Sequence, residues 1–171
     1  MPARRILKIL HEISTCGVIG SLAAHGVLLT VATASALEYA AVRRGIEAIT
    51  QYVLLPSLGV VLFTGLLAIA VHHPFHGAGW AWVKLLLGMS MFEGTLGAVN
   101  ATARDASALA AKVASGEADP SALQTVLRHE WGGLGVILFL SLANIVLGVW
   151  RPKLSRSAQA AEASADEASD Q

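Results

Sequence analysis

The chain has 171 residues with 12 basic and 12 acidic side chains, a formal net charge of zero, 54% hydrophobic residues and a mean hydropathy of +0.59. That content is too apolar and too sparsely charged for a soluble domain of this length and places the chain among integral membrane proteins. Lys and Arg are scattered, which excludes the electrostatic footprint of a nucleic-acid binder, and the single cysteine, Cys16, can form no intramolecular disulfide and reads as a small packing residue.

The first predicted span covers 6–37. It has no charge from Ile13 to Leu37, and about 20 such residues suffice to cross a bilayer. Arg4, Arg5 and Lys8 followed by the small residues Ala32 to Ala36 imitate a secretory signal, but the apolar run exceeds the roughly 7–15 residues of a signal core. The helix is expected to continue through Glu38 to Arg43 and to stop at Gly45. A second span, 48–71, contains Pro56 as a kink. The segment from His72 to Gly79 then reads as a turn at the membrane surface.

A third span, 80–100, opens on Trp80 and Trp82, residues suited to the interface. It carries Lys84, close enough to its end to snorkel, and Glu93, which lies deeper and needs a partner or a proton. The helix runs on past the membrane from Ala101 to Ser115, stops at Gly116 and restarts at Asp119-Pro120. A fourth span, 129–150, ends at Arg151-Pro152-Lys153, and the polar tail 155–171 is expected to be disordered.

These spans predict an all-α protein: an integral membrane four-helix up-down-up-down bundle in one domain, 1–154, with both termini on one side. Lys and Arg on that side (Arg4, Arg5, Lys8, Arg151, Lys153, Arg156) outnumber those opposite, so the positive-inside rule puts the termini in the cytoplasm and the chain in the inner membrane. Its expected partners are the lipid bilayer and either a second copy or another membrane protein, with glycines such as Gly17, Gly59 and Gly94 letting helices approach closely.

Polar residues sort into two layers by depth. Near the termini lie His11, Glu12, His72, His73, His76 and Lys84; on the other side lie His25, Glu93, Asn100 and His129, with Glu130 at the rim. His11 and His25 return to within roughly 40° of one helix face. His25 and Glu93 each fall roughly 5–8 Å beyond the midplane, so a hydrogen-bonded pair is expected between them, with Asn100 on the Glu93 face and Lys84 opposite. Three chemistries fit such layers: haem ligation by imidazole, copper or zinc binding with Met89 and Met91 as soft ligands, and proton relay by a buried Glu and His. The plainer readings are solvation for His72, His73, His76 and His129, and core or lipid contact for Met89 and Met91.

Lys8-Ile9-Leu10-His11 opening the first helix and Trp82-Val83-Lys84-Leu85 opening the third resemble features of the HemJ-type and CopD-type families of small bacterial membrane proteins and their uncharacterised four-helix relatives. The HemJ type uses a helix 1 histidine and a helix 3 lysine, binds haem b and oxidises protoporphyrinogen; the matching positions are His11 and Lys84. It carries a further histidine along helix 3, where this chain has Glu93. The CopD type is linked to copper handling. The resemblance therefore implies a haem-linked or other redox role, with haem b as cofactor, His11 as its metal ligand and Lys84 as a catalytic residue. Glu93 as a second catalytic group and His25 as a second cofactor ligand follow from their depth. The alternative is a non-catalytic membrane subunit or a small copper- or proton-related transporter without a cofactor.

Overall fold

The computed structural model describes residues 2–71 and 79–150, and every regular element in them is helical. His72, His73, His76, the stop at 151–153 and the tail at 155–171 lie outside the described residues. Helix α1 (Pro2–Leu29) is followed by α2 (Ala36–Ile49), a π segment (Thr50–Leu54) and α3 (Leu55–Val71); then come α4 (Gly79–Gly94), a second π segment (Thr95–Asn100), α5 (Ala101–Ala114) and α6 (Ala122–Trp150). Each π segment continues the helices on either side of it, so the chain forms four rods. The rod Ala36–Val71 has 36 residues and is about 54 Å long at 1.5 Å per residue.

Three stretches, Arg5–Leu29, Ala36–Val71 and Ala122–Trp150, are long and apolar enough to cross a membrane. The fourth expected span, 80–100, is not among them, because Lys84, Glu93 and Asn100 dilute its apolar content.

The first helix does not run unbroken to Gly45. Ser35 takes extended angles (φ −144°, ψ 157°) and accepts the Glu38 N–H at 3.2 Å, while the Glu38 carboxylate accepts the Ala34 N–H at 2.8 Å. This reciprocal cap satisfies donors that a new helix start leaves bare, so the chain reverses there and Gly45 sits inside α2. Pro56 acts one turn earlier than its own position. Lacking an N–H it cannot bond the Tyr52 carbonyl, and the turn before it widens, with the Leu55 N–H bonding the Thr50 carbonyl.

The end of α5 follows the sequence expectation. Gly116 has φ 81°, its N–H bonds the Val113 carbonyl at 3.1 Å, and the Glu117 N–H bonds the Lys112 carbonyl at 2.8 Å, a closure that favours a residue without Cβ. Asp119 starts the next rod by accepting the Ser121 N–H at 2.7 Å. The Ser121 hydroxyl and N–H hold its carboxyl below the ordinary value of 3.8.

Neighbouring rods run antiparallel. His11 meets Thr64 near the start of α1, Gly17 faces Ser57, and His25 meets Thr50 near its end. Gly88 faces Asn144, Gly94 faces Ile137 and Ala98 faces Gly133 between the third rod and α6. Gly88 allows a close approach to α3, since a Cβ there would lie 2.8 Å from Leu62 Cδ2 and the leucine side chain would have to shift. The rods enclose a core that includes Leu22, Leu58, Met91, Val99, Leu134 and Ile137. Beyond this core, at the end away from Pro2, α2 packs on α5, and α5 on α6.

Candidate functional site

The inward stripe of three rods ends in a polar side chain at one height. On α1 the buried positions Val18, Ser21, Leu22 and His25 recur at helical spacing. Ala40, Arg43, Ile46 and Thr50 do the same on the second rod, and Glu130, Leu134 and Ile137 on α6. His25 is 0% exposed, Glu130 1% and Arg43 2%, so all three ionisable groups are withdrawn from solvent and must satisfy one another.

They do so in one connected group. The His25 Nε2 lies 2.9 Å from Glu130 Oε1, and Arg43 Nη1 donates to Glu130 Oε2. Arg43 also donates from Nε and Nη2 to the Tyr39 hydroxyl, at 2.9 and 2.8 Å, with its guanidinium carbon 5.1 Å from the Tyr39 ring centroid. Glu130 thus carries one hydrogen bond on each oxygen, and the Arg43 fork is spent between a carboxylate and a phenol. A guanidinium does not lose its proton in a protein, so Glu130 is its standing counter-charge.

Thr50 makes the group adjustable. Its single hydroxyl proton has two acceptors in reach, the Ile46 carbonyl at 2.9 Å and His25 Nδ1 at 3.3 Å. When Thr50 donates to Nδ1, His25 is neutral, its Nε2–H donates to Glu130, and the charges of Arg43 and Glu130 cancel. When Thr50 donates to Ile46, Nδ1 must carry its own proton to complete the bond, and another proton still lies between Nε2 and Glu130. The second arrangement holds one more proton than the first.

The structure corrects the expected partnership of His25 with Glu93. Glu93 is on the exposed face of α4, and among the described residues no hydrogen bond or ion pair holds it. Gly94 faces Ile137, two turns along α6 from Glu130, so Glu93 is too far along the rod axis to reach His25. Glu130, expected at the rim, is covered because α6 starts at Ala122 and packs on α5. Asn100 does not share the Glu93 face either. The second π segment, whose turns close at i→i+5, brings Asn100 Oδ1 into the interior, where it and the Thr95 hydroxyl are buried without a hydrogen-bond partner among the described residues.

At the other end His11 and Lys84 are half-buried. The Thr64 hydroxyl lies 2.7 Å from the Val60 carbonyl and 2.8 Å from His11 Nδ1; when its proton goes to Val60, Nδ1 donates to it and His11 Nε2 is left with a lone pair. Lys84 lies across α6, where a Cβ on Gly148 would come 2.7 Å from Nζ, and its carbonyl accepts from Asn144 Nδ2 at 3.3 Å. In that arrangement His11 Nε2 keeps the lone pair that an imidazole ligand needs. His25 does not fit that role, because both its ring nitrogens are engaged. Among the described residues no three His, Cys, Asp or Glu side chains form a metal-binding group. Met89 is exposed and Met91 buried, pointing to different faces as their spacing requires, and His129 is exposed.

Arg43 and Thr50 are absent from the residues that the sequence singles out. The signal that locates them is Ser35-Ala36-Leu37-Glu38, a capping-box spacing: starting a helix there puts Ala40, Arg43, Ile46 and Thr50 on one stripe. No family model matches the chain, and neither a curated protein nor a solved structure matches it.

Proposed function

We propose that the chain is a four-helix up-down-up-down bundle of a membrane, and that it handles protons through the His25, Glu130 and Arg43 group without needing a cofactor. The observation that carries the reading is the double engagement of His25: one nitrogen on Glu130, the other on a hydroxyl with an alternative acceptor. An ionisable group buried between apolar spans marks a functional site by default. This one adds a titratable imidazole to an Arg and Glu pair that is already neutral. The excess of Lys and Arg near the termini supports cytoplasmic termini in the inner membrane.

The test is proton flux into proteoliposomes that hold a pH-sensitive dye, driven by a potassium diffusion potential. Wild-type protein should move protons at either polarity, and His25→Ala or Glu130→Gln should stop it. Inserted, folded wild-type protein that leaves the internal pH unchanged would overturn the reading.

A second reading rests on His11 alone. When its Nδ1 donates to Thr64, Nε2 is free to act as a ligand, in keeping with the resemblance to the HemJ type. Haem held there would supply one-electron chemistry, with His11 as its single protein ligand. The visible spectrum of the purified protein decides it: a Soret band that shifts on reduction and is lost in His11→Ala supports haem, and its absence after haem is supplied removes this reading.

A further inference from the structure

The hydroxyls of the bundle follow a pattern that one residue breaks. Thr15, Ser21, Thr50, Thr64 and Ser141 each lie 2.7–2.9 Å from the carbonyl four residues back, the usual way in which a helical hydroxyl is satisfied. Thr95 is 0% exposed, yet its oxygen has no hydrogen-bond partner among the described residues. Five positions on, Asn100 Oδ1 is buried in the same condition. The two are the first and last residues of the second π segment. The first π segment runs into Pro56, whereas no proline follows the second, and π turns of this kind are frequent at functional sites.

Both orphans sit close to the His25 and Glu130 group. Ala98 and Val99 face Gly133. Asn100 lies just beyond that contact and Glu130 one turn before Gly133, so on antiparallel rods the two come within about 3 Å of one height. The two π segments touch, and the first begins with Thr50, whose hydroxyl lies 3.3 Å from His25 Nδ1. Thr95 is about 7 Å nearer the middle of the bundle, on a buried stripe with Met91 and Val99.

We propose that Thr95 and Asn100 hold water inside the bundle, and that this water passes protons from the middle of the bundle through Thr50 to His25. This role rests on the proton reading above and adds the route. The chemistry of the orphans selects water. An apolar ligand would leave both polar atoms bare. A cation would call for a free carboxylate, and both oxygens of Glu130 are already engaged, one of them by the Arg43 guanidinium. Water is neutral, donates to Asn100 Oδ1 and bonds the Thr95 hydroxyl in either sense, as buried water does with unmatched polar groups. The transfer balances at Thr50. A proton arriving on the water bonds to the Thr50 oxygen as the hydroxyl's own proton leaves for His25 Nδ1. Water is left behind, His25 carries the charge, and the new hydroxyl turns to the Ile46 carbonyl.

The test uses the full chain and variants first shown to unfold cooperatively. In proteoliposomes Thr95→Val and Asn100→Leu should each slow proton flux about five- to ten-fold, the worth of one or two lost hydrogen bonds, while Thr95→Ser keeps the hydroxyl and the wild-type rate. In detergent, a brief X-ray pulse makes hydroxyl radicals from water where it stands. Met91, buried one turn from Thr95, should then be oxidised in wild-type protein and several-fold less in Thr95→Val and Asn100→Leu, with exposed Met89 as the reference. Flux unchanged in both variants overturns the route, and Met91 oxidation that neither variant lowers overturns the water site. Wild-type protein that moves no protons removes the proton reading and the route, and Met91 oxidation then decides the water site alone.

Discussion

Two polar regions sit on the same four rods and differ in how they are enclosed. At the far end, side chains from α1, the second rod and α6 converge until three ionisable groups are withdrawn from solvent. At the near end, His11 rests on α3 and Lys84 on α6, each half-buried. The difference teaches that depth in a span does not decide whether a charged residue is buried. What decides it is whether other rods extend past that height. α2 and α5 continue beyond the level of His25 and pack on each other and on α6, so the far group is covered from several sides.

The comparison breaks most visibly on Glu130. Glu130→Ala leaves Arg43 and His25 buried without their counter-charge, and loss of one partner from a buried pair costs about 3–5 kcal/mol. Unfolding in detergent should show that loss. A cost under about 1 kcal/mol would mean that water reaches the group and the two ends are alike.

Next in size is the coupling between partners. A double-mutant cycle of His25→Ala with Glu130→Gln should give an interaction of about 0.5–3 kcal/mol, whereas His25→Ala with Glu93→Gln should be additive within about 0.3–0.5 kcal/mol. Additivity in the first cycle and coupling in the second would reverse the assignment of the His25 partner.

That cycle also separates what is legible in the sequence from what is not. Three apolar stretches, the stop at Gly116, the restart at Asp119 and the disturbance around Pro56 are local signals, each written in adjacent residues. His25 is legible because a histidine in an uncharged span stands out against its neighbours. Its partner is not, because choosing between Glu93 and Glu130 needs the height at which rods meet, and that height is set by where α1 stops. Reading the first helix through to Gly45 displaces Arg43 from the interior and puts Glu130 at the rim. Asn100 is misplaced for a related reason: a π segment changes the rotation per residue, and no residue between Thr95 and Asn100 announces one. The reciprocal cap at Ser35 and Glu38 is present in the sequence and corrects the first error.

At the near end a smaller effect is expected. Thr64→Val removes one neutral hydrogen bond from a half-buried histidine, worth about 1 kcal/mol, and frees His11 Nδ1 to turn. Detergent unfolding measures the cost. A loss as large as that of Glu130→Ala would show the near end to be as tightly enclosed as the far one.

The smallest effect isolates enclosure from bonding, because Asp119 resembles Glu130 in its hydrogen bonds and differs in its surroundings. Asp119 is exposed at the start of the last rod and is bonded by the hydroxyl and N–H of Ser121. Those donors favour the ionised form, so its folded pKa lies below the ordinary 3.8. The sign follows directly. A carboxyl whose pKa is depressed by folding contributes stability that is complete above its unfolded value and is lost as pH falls through the folded one. Carboxyl carbon shifts of labelled protein in micelles should therefore give Asp119 a midpoint below 3.8, and Ser121→Ala should move it upward by removing the hydroxyl while the N–H bond remains. Asp119→Asn keeps an acceptor for that N–H but cannot titrate, so the acid loss of order in the first turn of α6 should disappear. A midpoint at or above the ordinary value would show that the Ser121 bonds do not form and that the rod starts without this cap.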